Sequence, residues 1–238
     1  MTEDSATTWD LSGRVALITG ASRGIGYECA RLCNLEGHTV LAVGKDSTRL
    51  FQVAQRLDGI LTYRADLAIE AEVNALVSYI RTRWELVDVL INNAGVMPQN
   101  DRQIITCSEA DFDYTMRVNF LAPYRLTKAL IPLLQLSESG RVINISSTMG
   151  VIGSSLNGVY GLSKAMLNNL TVALSNELAG TVAVNSVSPG WVRTDMAPDG
   201  PGDPAESAQT VLRVMNMDNS ITGKFFGSAG QLQFAESE

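Results

Sequence analysis

Short β-branched runs alternate with longer amphipathic stretches along almost the whole chain. Val15–Thr19, Thr39–Val43, Ile60–Arg64, Val87–Asn92, Arg141–Ser146 and Val182–Val187 are apolar at both parities, the pattern of strands covered on both faces. Between them, Ile25, Cys29 and Leu32 share one helix face, and Val73, Leu76, Val77 and Ile80 share another in a helix expected over Glu70–Arg83. A long helical pattern runs from Asp111 to Leu136, where Pro123 should break or kink it. A further helix, Val159–Ala179, places Leu167, Leu170, Leu174 and Leu178 on one side. The alternation predicts a doubly wound α/β fold: a parallel sheet of about seven strands, right-handed crossovers and helices on both faces. It never pauses for a linker, so residues 1–238 read as a single domain. Residues 1–10 form a polar N-terminal tail, and Ala197–Pro204 is crowded with Pro and Gly. That stretch predicts an irregular loop, followed by a short helix around Ala205–Val214 and a last strand near Gly223–Phe226.

Composition narrows the function classes. A chain of 238 residues can build one core without disulfide or metal. With 45% hydrophobic and 18% charged residues it is neither disordered nor fibrous. The net charge of −7 argues against nucleic acid and anionic membrane as partners. Three cysteines cannot close a disulfide framework, and Cys29 and Cys33, four apart in a helix, read as buried thiols of a reducing compartment. Cys107 is given no catalytic role. The single His38, expected in a helix-to-strand turn, speaks against a His-based metal site. No run nears the ~20 apolar residues of a membrane span. Met1–Asp10 carries Glu3, Asp4 and Asp10 and no apolar core of a signal peptide. The expectation is a cytoplasmic chain with no metal, its acidic end Glu236–Glu238 solvated.

The first strand runs into Thr19-Gly20-Ala21-Ser22-Arg23-Gly24-Ile25-Gly26 and then a helix. Gly20 permits a tight turn, Gly24 lets backbone approach a pyrophosphate, and Gly26 allows close packing of helix on strand. The helix N-terminus offers N–H groups and a positive dipole end to phosphates. The spacing is Gly-x-x-x-Gly-x-Gly, and here the sequence resembles the short-chain dehydrogenases/reductases in their classical form. Further stretches match that family in order: Asp66-Leu67, Asn92-Asn93-Ala94-Gly95, and Pro189-Gly190 followed by Trp191-Val192-Arg193-Thr194-Asp195-Met196. The resemblance covers about Leu11 to Phe226. It implies a dinucleotide held by Gly20, Ser22, Arg23, Gly24, Ile25, Gly26, Lys45, Asp66, Leu67, Asn93, Ala94, Gly95, Tyr160, Lys164, Pro189, Gly190, Val192 and Thr194. In the family, the residue matching Thr194 bonds the nicotinamide carboxamide.

Tyr160-Gly161-Leu162-Ser163-Lys164 sets a phenol and an ammonium on one helix face. By resemblance the catalytic tetrad is Asn119, Ser147, Tyr160 and Lys164. Ser147 is preferred to Ser146 by its interval to Tyr160, and because alternate strand-end residues face opposite ways. A free tyrosine titrates near ~10, and the lysine ammonium and an oxidised nicotinamide should both lower that value. In the reductive direction, hydride goes from the cofactor to a carbonyl carbon and Tyr160 protonates the oxygen. Ser147 bonds that oxygen, Lys164 also holds the cofactor ribose, and Asn119 holds a water that reprotonates the tyrosine.

Asp46 lies near the offset of an acid that grips the ribose hydroxyls of NAD. Yet Val43-Gly44 puts glycine at the strand end, Lys45 follows, and Asp46 reads as a helix cap. Arg23 and Lys45 then suit a 2′-phosphate, so the expected cofactor is NADP(H). The segment after Met196 is short compared with ketoacyl-carrier reductases and resembles the carbonyl-reductase branch. Met97, Met149, Val151, Leu156, Trp191 and Met196 are expected to line an apolar mouth for a bulky ketone or aldehyde. The two long helices carry more apolar face than one sheet side covers, which predicts a homodimer or homotetramer. The alternatives are a 3-oxoacyl-type reductase or a hydroxy-compound dehydrogenase and, in another class, a non-catalytic dinucleotide sensor, which would need the glycine turn but not the tetrad.

Overall fold

The computed structural model describes residues 13–98, 103–152 and 158–234. Its strands are β1 (Val15–Thr19), β2 (Thr39–Gly44), β3 (Leu61–Arg64), β4 (Val89–Asn92), β5 (Arg141–Ile145), β6 (Ala183–Val187), β7 (Phe225–Gly227) and β8 (Gly230–Leu232). They form one sheet in the order β3-β2-β1-β4-β5-β6-β7-β8. Neighbours from β3 to β7 pair in parallel. The strand order reverses beside β1, between β2 and β4, and opens the crevice where such sheets bind ligands.

The helices are α1 (Gly24–Leu35), α2 (Ser47–Arg56), α3 (Glu70–Arg83), α4 (Glu109–Met116), α5 (Ala122–Leu134), α6 (Gly158–Glu177) and α7 (Pro204–Met215). Strand parity sorts the core into two layers. Ala16 and Ile18 of β1 pack with Ala30 of α1, Val53 of α2 and Val211 of α7. Leu17, between them, packs with Leu76 of α3, Leu126 of α5 and Leu174 of α6. Cys29 and Cys33 are fully buried in the first layer, and burial pushes the Cys33 thiol up to about 12. His38 joins α1 to β2, its N–H donating to the Cys33 carbonyl at 3.0 Å.

Several boundaries differ from the sequence reading. Val87 is buried, but its N–H goes to the Leu133 carbonyl, and the β4 ladder begins at Val89. The last parallel strand begins at Phe225 rather than Gly223. An eighth strand follows it, pairing antiparallel with β7 through a tight turn. Three residues containing a glycine leave too little alternation to announce such a strand. The predicted Asp111–Leu136 helix begins at Glu109, with the Ser108 hydroxyl accepting from Asp111 N at 3.1 Å. Pro123 does not break it. The chain inserts a π turn, Arg117–Leu121, and Pro123 enters the first turn of α5, where its missing N–H is tolerated.

Candidate active site

Above the carboxyl ends of the strands lies a cleft of about 840 Å³. Its floor is built from turns that follow β1, β4, β5 and β6, so each loop brings its residues to the same sheet edge. After β1, the glycine turn delivers the chain into α1, whose N-terminus has no side-chain cap and no acid in its first turn. Its leading N–H groups stand beside the cleft, a ready anion site. The turn is clamped from β4: Asn93 Nδ2 donates to the Thr19 and Gly20 carbonyls at 2.8 and 3.2 Å. Thr19 Oγ1 accepts from the N–H groups of Asn93 and Ala94, both at 3.0 Å. Gly26 does not line the cleft. A Cβ there would stand 2.3 Å from Asn93 Nδ2 and 2.4 Å from the Gly20 carbonyl, so this glycine lets the clamp close.

After β5, Ser147 caps a short 3₁₀ turn, Thr148–Gly150, its Oγ accepting from Met149 N at 3.1 Å. Gly150 then passes against α6. A Cβ on it would lie 2.6 Å from the Lys164 carbonyl carbon, so a side chain would push the helix away. Tyr160 and Lys164 open α6. Lys164 is 3% exposed and donates from Nζ to the Ile145 carbonyl at 2.7 Å. The ammonium lies 5.6 Å from the centre of the Tyr160 ring. Ser146 is buried and donates to the Lys164 carbonyl at 3.4 Å, whereas the Ser147 hydroxyl bonds Tyr160.

Charge behaves differently from the sequence expectation. Burial pushes the Tyr160 phenol up to about 12, with the Ser147 hydrogen bond pulling the other way. Burial likewise pushes the Lys164 ammonium down to about 8. The expected lowering of the phenol by the lysine does not dominate, because removing both groups from water outweighs their attraction.

Asn119, in the π turn, is fully buried. Its Nδ2 donates to the Val96 carbonyl at 2.8 Å and to Ser163 Oγ at 3.0 Å, and its Oδ1 accepts from Val96 N at 2.8 Å. The side chain is therefore a brace between the loop after β4 and α6. Gly95 lies between brace and ammonium, a Cβ there standing 3.6 Å from both Asn119 Oδ1 and Lys164 Nζ.

A buried polar ladder supports this floor from behind. Asn92, Asn144 and Ser186 are side-by-side partners on β4, β5 and β6. Asn92 Nδ2 donates to Asn144 Oδ1 at 2.9 Å and to Thr127 Oγ1 at 3.2 Å. Asn144 Nδ2 donates to Thr171 Oγ1 of α6 at 2.9 Å, and Thr171 and Ser186 share a 2.8 Å bond. The register of α6 on the sheet, and with it Tyr160 and Lys164, is thus fixed by polar contacts.

Gly20, Ser22, Arg23, Gly24, Ile25, Lys45, Asp66, Leu67, Ala94, Pro189, Gly190, Val192 and Thr194 all line the cleft. So do Met97, Met149, Trp191 and Met196 of the expected mouth. Val151 does not: the 3₁₀ turn folds its N–H back to the Thr148 carbonyl at 3.0 Å, leaving Met149 on the cleft side. Leu156 lies outside the described residues. Tyr114 of α4, which no sequence signal marks, joins the lining and accepts from Lys45 Nζ at 2.9 Å. Among the described residues no His, Cys, Asp or Glu cluster could hold a metal, and no helix is long and apolar enough to cross a membrane.

A glycine turn on an uncapped helix, a strand-order reversal and a Ser–Tyr–Lys floor together define a nicotinamide-dependent oxidoreductase acting between alcohol and carbonyl. Residues 14–202 match the short chain dehydrogenase family. The chain belongs to that family. It is 34% identical over 215 residues to nodulation protein G of Rhizobium sp. (strain N33), covering 90% of this chain and 87% of that one. It is 29% identical to the 3-oxoacyl-(acyl-carrier-protein) reductase FabG of Thermotoga maritima, covering 93% and 98%. A short chain dehydrogenase of Shigella flexneri, solved in complex with NADP, superposes with a TM-score of 0.86 at 28% identity, covering 92% and 99%.

Proposed function

We propose that the chain reduces a bulky or hydrophobic ketone or aldehyde with NADPH. The observation that carries this reading is the pairing of Tyr160 with Ser147 and Lys164 at one end of a cleft whose other end carries Arg23 and Lys45. The site fits the cofactor: an uncapped helix N-terminus for the pyrophosphate, Asp66 and Leu67 at the adenosine end, and Thr194 near the nicotinamide. Bound there, the nicotinamide supplies the hydride. Ser147 donates to the carbonyl oxygen and orients it, and Tyr160 gives that oxygen its proton. Lys164, held by the Ile145 carbonyl, places positive charge beside the phenol and reaches the ribose. Asn119 holds the water that restores the proton.

Gly44 stands at the end of β2 where an acid would select NAD, a Cβ there falling 3.2 Å from Ser22 Cβ, and Asp46 is spent on capping α2, accepting from Arg49 N at 3.0 Å. The NADP complex of the Shigella flexneri protein supports this choice. Arg23→Ala with Lys45→Ala should lower the NADPH-over-NADH ratio of kcat/KM by about 10²-fold, two charge-assisted contacts being lost. A wild type that prefers NADH would overturn the cofactor assignment. The Thermotoga maritima relative favours a second reading, a 3-oxoacyl thioester substrate. Against it stands the short path from Met196 to α7, together with an open mouth in which Trp191 is 65% exposed. Absorbance at the reduced-cofactor band, with 3-oxoacyl thioesters and with aromatic or alicyclic ketones side by side, separates the two.

The protein assembles as a homodimer or homotetramer in this reading. Phe112, Tyr124, Leu162 and Met166, from α4, α5 and α6, are exposed large apolar residues. Sedimentation at micromolar concentration should show no monomer, and a monomer there would remove the claim.

A further inference from the structure

Beside the cleft end lined by Arg23, Lys45 and Asp195, an ion-pair cluster joins three elements far apart in the chain, with Arg49 reaching it from just outside the lining. Arg23 immediately precedes α1, Arg49 lies in the first turn of α2, and Asp195 belongs to the segment after β6. Asp195 Oδ2 accepts from Arg49 Nη1 at 3.0 Å and, closer still, from Arg23 Nη1. These arginines, Arg49 first, hold the Asp195 carboxyl below its ordinary value. All three side chains remain between 39% and 53% exposed, so a ligand can reach them. Lys45 adds a third positive charge nearby, tethered to Tyr114.

The segment carrying Asp195 is a small folded strap. Thr194 and Ala197 exchange backbone bonds at 3.2 and 3.0 Å, and Arg193 and Trp191 are each tied to Gly202 at 3.0 Å. Thr194 lies over the glycine turn, its Cγ2 standing 3.2 Å from where a Cβ on Gly24 would be. Asp195 therefore fastens the substrate-side strap to the adenosine side of the cleft. The fastening uses the same guanidinium groups that a ribose phosphate would need.

A phosphate monoester carries about −1.5 to −2 charges at neutral pH, and guanidinium groups pair with it in a planar, two-pronged geometry. A half-exposed, singly charged carboxylate is a weak competitor, and two anions on one arginine pair repel. We propose that Arg49 joins Arg23 in recognising the cofactor's 2′-phosphate, and that Asp195 is the resident carboxylate which this phosphate displaces. The inference rests on the NADP(H) reading above. It makes cofactor choice and strap position one event: a phosphorylated ribose unfastens Asp195, whereas NADH leaves it fastened.

The test is equilibrium binding of NADPH, NADH, 2′,5′-ADP and 5′-AMP to the full chain by fluorescence titration and competition. Arg49→Ala should weaken NADPH and 2′,5′-ADP about tenfold, with NADH and 5′-AMP unchanged. Asp195→Asn should tighten the two phosphorylated ligands roughly three- to fivefold by removing the competitor. Unchanged NADH binding shows that each variant is folded. If Asp195→Asn weakens NADPH, the carboxylate supports the site and the displacement is wrong. If Arg23→Ala weakens NADPH while Arg49→Ala does not, the role of Arg49 is wrong and the cofactor reading stands. If the wild type binds 2′,5′-ADP no better than 5′-AMP, the cofactor reading falls and takes this inference with it.

Discussion

Tyr160→Phe is expected to lower turnover by roughly 10²–10⁴, the usual worth of a positioned acid, with cofactor affinity nearly intact. The substitution removes one oxygen from a ring that is otherwise packed at the cleft floor, so the fold has no reason to change. The phenol, protonated at neutral pH even at its ordinary value near ~10, is pushed further up by burial, to about 12. That state suits proton donation to a nascent alkoxide. In the oxidative direction the same group must first lose its proton, so alcohol oxidation should rise with pH while carbonyl reduction falls or stays level. Steady-state rates in both directions from pH 6 to 10 check this. Near wild-type turnover in Tyr160→Phe would show that another group is the acid.

Lys164→Met should cost turnover by a factor of about 10²–10³ and also weaken the cofactor, because one ammonium serves both. Methionine keeps much of the lysine's length and leaves the charge out. The Ile145 carbonyl loses the 2.7 Å donor, and the phenol loses its nearest cation. Lys164 itself, lowered to about 8, loses its charge as pH rises through that value in the cofactor-free protein. Cofactor affinity of the wild type should therefore decline through the same region, and that of the Met variant should not. Binding titrations across this range decide it; identical profiles would show that the ammonium does not hold the cofactor.

The parts of the site legible in the sequence are those whose logic is local. The glycine turn follows a strand and opens a helix within a dozen residues, and Tyr160 and Lys164 lie one helical turn apart. Each pattern carries its geometry with it. The doubly wound sheet was legible for the same reason, since strand parity and helix period are read over short windows. What escaped depends on residues distant in sequence. Arg49 and Asp195 meet across 146 positions, and Asn92, Asn144 and Ser186 become neighbours only through strand register. Tyr114 reaches Lys45 because the π turn and α4 set it over the cleft, and no periodicity predicts that. Val151 was misplaced because a three-residue 3₁₀ turn reverses the chain after Met149. The sequence points to Asn119, but its amide is a brace, a role that only its three hydrogen bonds to Val96 and Ser163 reveal.

The polar ladder under the catalytic floor divides the molecule into two timescales. Opening β4, β5 or β6 would strand buried amides and hydroxyls without partners, which is costly in a low-dielectric interior. That region, with Tyr160 and Lys164 riding on it, should exchange its amide hydrogens only through near-global unfolding. The segment from Gly190 to Gly202 is held by its own backbone bonds and by exposed Asp195 ion pairs, with no part in the buried ladder, and should open in smaller fluctuations. On the proposed reading, the strap beside the cleft is the part that yields, and the groups assigned to proton transfer ride on the part that does not.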